Sequence, residues 1–429
     1  PKQISYAKLR ASWGVVGSYP PIYAAMVAYN PGNLGIQSSG TGSVLTTTIP
    51  SSFGNNSLKP EKKNEWEIGL EAKFLNNRLG IDASYYNARI VDQILPLTLP
   101  ASAGGTSVLT NIGELSNKGF EMAITGNPIT KKNFTWDVVL NYTTYQNKVV
   151  KLANGATELL HADYDGNAAQ LKSIVGQPMG DLYAHPVATN SKGEKLVGSD
   201  GLYVVDANKM QKYGNAMPKG SGGLMNSLRY KNFSFDAVID FMYGGSVMPT
   251  GINWMTSRGL TEQSLDHMDA AHGGLSYYLV NGKGVQTSAA TGPNGETVYH
   301  DGMLLEGVDN NGNKNTNVIT QAYYYWNVYN WGGPQYSSSL YNLYIVKNNY
   351  IKMREMSLTY TLGTKLAEKI KAKKLQVSVF GRNMFYLYRS IKDIDAEQLT
   401  AGSYWVQNVN NAGTNPSTRS YGVMIRASF

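Results

Sequence analysis

The 429 residues predict an all-β protein, a transmembrane antiparallel β-barrel, from three observations. Short stretches alternate strictly between apolar and polar residues, brief turns alternate with long polar connections, and the composition is rich in tyrosine and glycine but poor in charge. Tyrosine numbers 30 against 10 Phe and 7 Trp, Gly reaches 45, and charged residues make up 16%. Mean hydropathy is nevertheless −0.30, so uncharged polar residues fill the gap. A chain of this length would otherwise suggest roughly two or three soluble domains.

Other classes are bounded by composition. With no cysteine there can be neither a disulfide framework nor a thiolate site. No stretch of about 18 apolar residues exists, which excludes a helical membrane span. The uncharged run 321–346 is long enough, but Asn, Gly, Pro, Gln and Ser interrupt it. The chain starts at Pro1 without a signal peptide, as expected of a fragment or processed chain of an exported protein. The net charge of +8 sits mostly in short connections: Arg78, Lys131 with Lys132, Arg229 with Lys231, and Lys365 to Lys374. No nucleic-acid-binding motif accompanies it, and solvated or headgroup-facing turns are the expectation.

The alternation defines the elements in order. In NEWEIGLEAKF, Trp66, Ile68, Leu70, Ala72 and Phe74 share one face and Glu65, Glu67, Glu71 and Lys73 the other. After a turn at Asn76-Asn77-Arg78, Leu79, Ile81, Ala83 and Tyr85 oppose Gly80, Asp82 and Ser84. The pattern returns in Phe120, Met122, Ile124; in Phe134 to Tyr142; in Phe233 to Phe241; in Leu375, Val377, Val379; and in Tyr421 to Phe429. About ten strands result, beginning near Ile4, Asn64, Leu79, Asn117, Phe134, Gly222, Phe233, Tyr350, Leu375 and Ser420. Long loops are expected at roughly 17–62, 96–116, 152–220, 246–346 and 390–418, all on one side, the layout of a membrane barrel. A soluble antiparallel sandwich would also alternate, but would not combine charges on the second face of nearly every strand with one-sided long loops. In YIKMREMSLTY the phase breaks between Met353 and Met356; either a β-bulge restores it or two apolar residues face the lumen.

Several stretches resemble SusC/RagA-type TonB-dependent transporters of Bacteroidetes. They are LRASWGVVGS (Leu9–Ser18), SLKPEKKNEWEIGLEAKF (Ser57–Phe74), NIGELSNKGFEMAI (Asn111–Ile124), NNYIKMREMSLTYTLG (Asn348–Gly363), LQVSVFGRNMF (Leu375–Phe385) and GVMIRASF (Gly422–Phe429). They occur in the family's order from end to end of the chain. The resemblance implies a barrel of about 22 strands around a plug. Residues 1–429 then form its C-terminal part, with the plug and first strands outside this sequence. It also implies active import of a large nutrient, an oligosaccharide or a peptide, across the outer membrane. The implied partners are a SusD-like surface lipoprotein lid, TonB acting through the plug, and outer-membrane lipid, with no cofactor. The alternatives are a barrel kept as a structural component of a surface assembly, and an outer-membrane hydrolase such as a protease or lipase barrel. Where relatives carry an Asp-rich, calcium-loop-like turn, this chain has SKGEKLVGSDGLYVVDANKM, leaving Asp200 and Asp206 with too few neighbouring carboxylates for a metal site.

Candidate chemistry is sparse. Asp266, His267, Asp269 and His272 carry ligand groups, but lack the spacing that pairs two His on one helix face. Asp309, Asn311, Asn313 and Asn315 mimic a calcium loop, but Lys314 and Thr320 stand where Gly and Glu belong. Neither is expected to hold a metal. No Ser-His-Asp order or paired-carboxylate motif stands out, and five His offer little acid–base material, so no catalytic residue is expected. The most unusual segment is QAYYYWNVYNWGGPQYSSSLYNLY. Its Tyr323, Tyr324, Tyr325, Trp326, Tyr329 and Trp331 suit stacking on sugar rings or holding a lid, and equally an aromatic girdle or a self-packed loop. Phe429, in phase with Val423, Ile425 and Ala427, is expected on the lipid side. In the outer-membrane proteins this chain resembles, such a terminal aromatic strand is the barrel-assembly signal.

Overall fold

The computed structural model describes residues 3–27, 29–36, 42–48, 50–99, 101–329, 339–397 and 415–429. Its frame is a ten-stranded sheet in which every strand pairs antiparallel with the next in sequence. The strands are β1 (Ile4–Ser18), β2 (Glu61–Phe74), β3 (Leu79–Val91), β4 (Gly113–Lys131) and β5 (Phe134–Leu152). They continue with β6 (Gly220–Tyr230), β7 (Phe233–Val247), β8 (Val346–Thr361), β9 (Lys374–Arg389) and β10 (Ser420–Ser428). All ten expected strands are present, and β1 and β10 are the two edges. Turns at 75–78, 132–133 and 231–232 join one set of ends, as does a connection holding the short helix Thr364–Lys369.

Register explains why alternation was legible. Directly opposed residues share a face, and one row of partners runs Leu9, Leu70, Ala83, Met122, Tyr142, Gly222, Phe241, Ile351. The neighbouring row runs Lys8, Glu71, Asp82, Ala123, Asn141, Gly223, Asp240, Lys352, Tyr386. The first row is an apolar belt for lipid and the second a polar wall for the lumen. Trp66, Ile68 and Leu70 are exposed on the belt, and Glu65, Glu67 and Glu71 are half-buried on the wall. Within the belt, the Trp66 and Tyr85 rings meet at 5.5 Å, and Phe233 and Tyr360 at 4.8 Å. Gly222 is required by close approach: a Cβ there would lie 2.3 Å from the Asn141 carbonyl oxygen and 2.6 Å from the Phe241 ring.

The phase break is a bulge. Met353 opposes Ile239 and Phe385, Glu355 opposes Val238 and Arg382, and Arg354 between them has no cross-strand partner. Ile351, Met353, Met356 and Leu358 thereby return to one face, and no apolar pair turns to the lumen.

The connections at the opposite ends correct the expectation of long polar loops. Residues 158–215 form a four-stranded sheet, and 275–320 form another. The helix α1 (Thr250–Thr256) precedes the second sheet and α2 (Gln321–Val328) follows it. The two sheets and α2 share a buried core that includes Leu171, Leu182, Leu202, Met248, Val328 and Tyr344, while Ile252 of α1 packs beside Val247 and Ile391. A one-layer wall has no interior of its own, so the chain builds this core in the cap its long connections form.

Candidate functional site: the luminal wall, an anchored loop and the cap

Several charges on the inner face of the wall are paired across strands. Arg10 donates to Asp82 at 2.6 Å, Arg229 to Asp137 at 3.2 Å and Arg382 to Glu355 at 3.0 Å, while Arg89 holds Glu114 on the opposite face, in phase with Tyr85. Each is partly exposed, and solvent screening leaves it little weight in stability. Together the inner-face pairs keep the passage polar without large local charge.

The densest network lies at the bulge. Lys352 has a side chain only 3% exposed, and its Nζ lies 2.5 Å from Glu397 Oε2. The Arg354 guanidinium, turned inward by the bulge, donates to Glu397, to Asp240 and, at 3.0 Å, to Asn383 Oδ1. The Tyr350 hydroxyl donates to Glu397 at 3.3 Å. Two residues earlier, Asp395 accepts from the Tyr386 hydroxyl, the Ser417 hydroxyl and the Ser417 amide at 2.9 Å. Burial pushes the Asp395 carboxyl up, but the hydrogen bonds from Ser417 and Tyr386 outweigh it and hold it at about 2. Glu397 is likewise lowered: burial opposes, and the hydrogen bonds from Arg354 and Lys352 prevail. Asn348 Nδ2 donates to the Ala396 carbonyl at 2.9 Å. The segment after β9 is thus folded against mid-strand residues of β7, β8 and β9, beside a cavity of about 520 Å³ lined by Lys352, Tyr386, Arg389, Asp393 and Arg419.

This network was missed in the sequence. Lys352 and Arg354 signalled it by putting two cations into a strand whose phase breaks, but nothing around Glu397 marks it as their partner.

The aromatic segment divides by helix face. Thr320 caps α2 by accepting from the Tyr323 amide at 2.9 Å, which sets the helix phase. Tyr325 and, just past the helix, Tyr329 fall four residues apart on the inner side, with exposures of 5% and 4%. The Tyr325 hydroxyl donates to the Gln263 carbonyl at 2.7 Å, Gln263 Nε2 donates to the Tyr329 hydroxyl at 2.9 Å, and Tyr329 stacks on Tyr344 at 5.7 Å. These two are core groups and cannot stack on a solute from solvent, which corrects their place among the expected binding residues. Tyr324 packs half-buried against the same core. Burial raises the phenols of Tyr324 and Tyr325. Tyr323 and Trp326 are exposed, at 37% and 45%. The Arg258 guanidinium lies 4.1 Å from the Trp254 ring centre and 5.1 Å from that of Trp326, a cation–π pair of contacts on the cap surface. Trp331 lies outside the described residues.

The other singled-out groups have local roles. Asp269 caps a turn, accepting from the His272 amide at 2.9 Å and from its Nδ1 at 2.8 Å. Asp309 closes a hairpin by accepting from the amides of Asn311 and Asn313. Asp200 and Asp206 accept from the amides of Leu202 and Asn208. Phe429 follows β10, is 73% exposed, and its carbonyl accepts from Lys373 Nζ at 3.3 Å.

Comparison with known proteins agrees with this architecture. The family described as TonB dependent receptor-like, beta-barrel matches residues 4–233. A TonB-dependent receptor of Formosa agariphila is 28% identical over 264 residues, covering 56% of this chain and 26% of the relative. The TonB-dependent receptor SusC of Bacteroides thetaiotaomicron is 29% identical over 255 residues, covering 54% and 24%. The chain therefore spans about a quarter of the length of these curated relatives. All of it superposes on 41% of a chain in the structure of the RagAB peptide transporter, with a TM-score of 0.64 at 18% identity, which shows a shared fold. The apolar belt, the polar wall and the sequence match lead to one conclusion: the chain belongs to the TonB-dependent receptor β-barrel family and is part of an outer-membrane barrel of the SusC/RagA type.

Proposed function

We propose that the complete protein imports a large nutrient, an oligosaccharide or a peptide, through a gated polar passage of which this chain forms the C-terminal part. The observation that carries the reading is the Lys352–Glu397–Arg354 anchor, which holds a connection against the luminal face of the polar wall. A connection fastened there narrows the passage, and its ionic fastening can be exchanged for contacts to solute without unfolding the wall. The likeness to SusC and to the RagAB peptide transporter supports a SusD-like surface lipoprotein as lid and TonB as the energy source, acting on the plug of the complete protein. Among the described residues of the aromatic segment, Tyr323 and Trp326 are exposed on the cap and would be offered to solute or lid.

The test is uptake. A strain lacking the gene, supplied with labelled oligosaccharide and peptide mixtures, should lose uptake of one class and regain it on complementation. Unchanged uptake together with loss of a surface assembly would instead assign the barrel a structural role.

A further inference from the structure

A cleft of about 1050 Å³ lies at the cap end of the wall, where β6 begins between longer β5 and β7. Three cations line it, Lys212, Lys219 and Lys347, and no Asp or Glu does. Lys212 is paired, its Nζ lying 2.7 Å from Asp181 Oδ1. Among the described residues, neither Lys219 nor Lys347 has a carboxylate within 4.0 Å, in contrast to Arg10, Arg229, Lys352, Arg354 and Arg382 on the wall. Both lysines are exposed to the cleft.

The amides lining the cleft add donors. Asn349 Oδ1 accepts from the Gly244 amide at 2.7 Å, and Asn147 Oδ1 accepts from the Met179 amide at 2.7 Å. With each carbonyl oxygen engaged, each side chain has its NH₂ left to give. Tyr145 and Tyr213 line the same space. The position of Lys219 is fixed by backbone: its amide donates to the Tyr243 carbonyl at 2.9 Å, and its carbonyl accepts from Thr144 Oγ1 at 2.7 Å. Gly244, at φ +90°, leaves room for its side chain, since a Cβ there would lie 2.5 Å from Lys219 Cγ. The cleft therefore offers two ammonium groups without a carboxylate partner, amide donors beside them and no acidic side chain, which is the chemistry that receives an oxyanion.

We propose that this rim cleft binds an oxyanion group, a carboxylate or phosphate, through Lys219 and Lys347 with Asn147 and Asn349 as neutral donors. The group could be borne by a soluble saccharide or by an outer-leaflet lipid headgroup, since the rim is where both meet the protein. The inference does not rest on transport: binding to purified protein is measured without uptake, so failure of either leaves the other standing.

The experiment uses the full-length transporter purified in detergent at low salt, as wild type, Lys219→Gln/Lys347→Gln and Lys219→Arg/Lys347→Arg. The soluble probe is trigalacturonate, with its methyl ester as the neutral control. The lipid probe is diphosphorylated lipid A in mixed micelles, with the dephosphorylated form as control. Heat-modifiable migration verifies that each variant is a folded barrel. At least one anionic probe should bind in preference to its neutral control, lose tenfold or more in the Gln variant, and keep its affinity in the Arg variant. The probe that behaves so identifies the source of the anion. If neither anionic probe is preferred, or if the Gln variant binds as wild type does, the assignment is overturned.

Discussion

Replacing Glu397 by alanine should free the segment after β9 without unfolding the wall. Lys352 has a side chain 3% exposed, and its ammonium loses its counter-ion in this variant. Stranding a buried charge costs roughly 3–5 kcal/mol. The wall is held by backbone ladders that run the length of β7 through β9 on both sides of the bulge, whereas the segment is held mainly by side chains, so the penalty is relieved by the segment leaving and water reaching Lys352. With about 1.4 kcal/mol per tenfold, the open population rises roughly a hundredfold to several thousandfold. Proteolysis in the regime where reclosing is fast reads that population directly. Cleavage within 390–397 should accelerate by that factor in Glu397→Ala while heat-modifiable migration stays normal. Adding Lys352→Met removes the stranded charge and leaves an apolar side chain near the Tyr386 ring, which the ammonium now approaches at 4.8 Å. The double variant should return to within about tenfold of wild type, a coupling of at least roughly 1–2 kcal/mol. Wild-type cleavage in Glu397→Ala, or a double variant cleaved faster than the single, refutes the account of the anchor.

Three further outcomes are expected. Ile68→Arg places a cation on the lipid belt and should cost about 2–4 kcal/mol near the midplane, lowering the amount of folded barrel, whereas Glu67→Gln should be tolerated; spin labels at 67 and 68 with equal oxygen accessibility would contradict this. Trp326→Ala should weaken uptake or lid association by about 0.5–1.5 kcal/mol with the cap intact, while Tyr329→Ala, at a 4% exposed position, should loosen the cap by roughly 3–5 kcal/mol, as hydrogen exchange of α2 can report. Asp395 is lowered from 3.8 to about 2, so its stabilisation is fully present above pH 4 and lost as pH falls through 2. Cleavage of the anchored segment in wild type should then be unchanged between pH 7 and 5; a rise over that interval would assign the anchoring to another group.

The sequence by itself determined the wall. A strand's side chains alternate because of its own backbone, so Trp66, Ile68 and Leu70 announce their common face without reference to any partner. Even the bulge was legible as a phase error between Met353 and Met356, although only the ladder identified Arg354 as the extra residue. The tertiary structure decided the cap and the anchor. Tyr341 reaches Asp165 across 176 residues, and Arg354 reaches Glu397 across 43, and neither contact leaves a local period in the chain. The aromatic run 323–329 showed what kind of surface α2 carries, but its division into a buried side with Tyr325 and Tyr329 and an exposed side with Trp326 depended on the core packed beneath it. Local geometry repeats along a chain and can be read from it; packing between distant segments is chosen only when they meet.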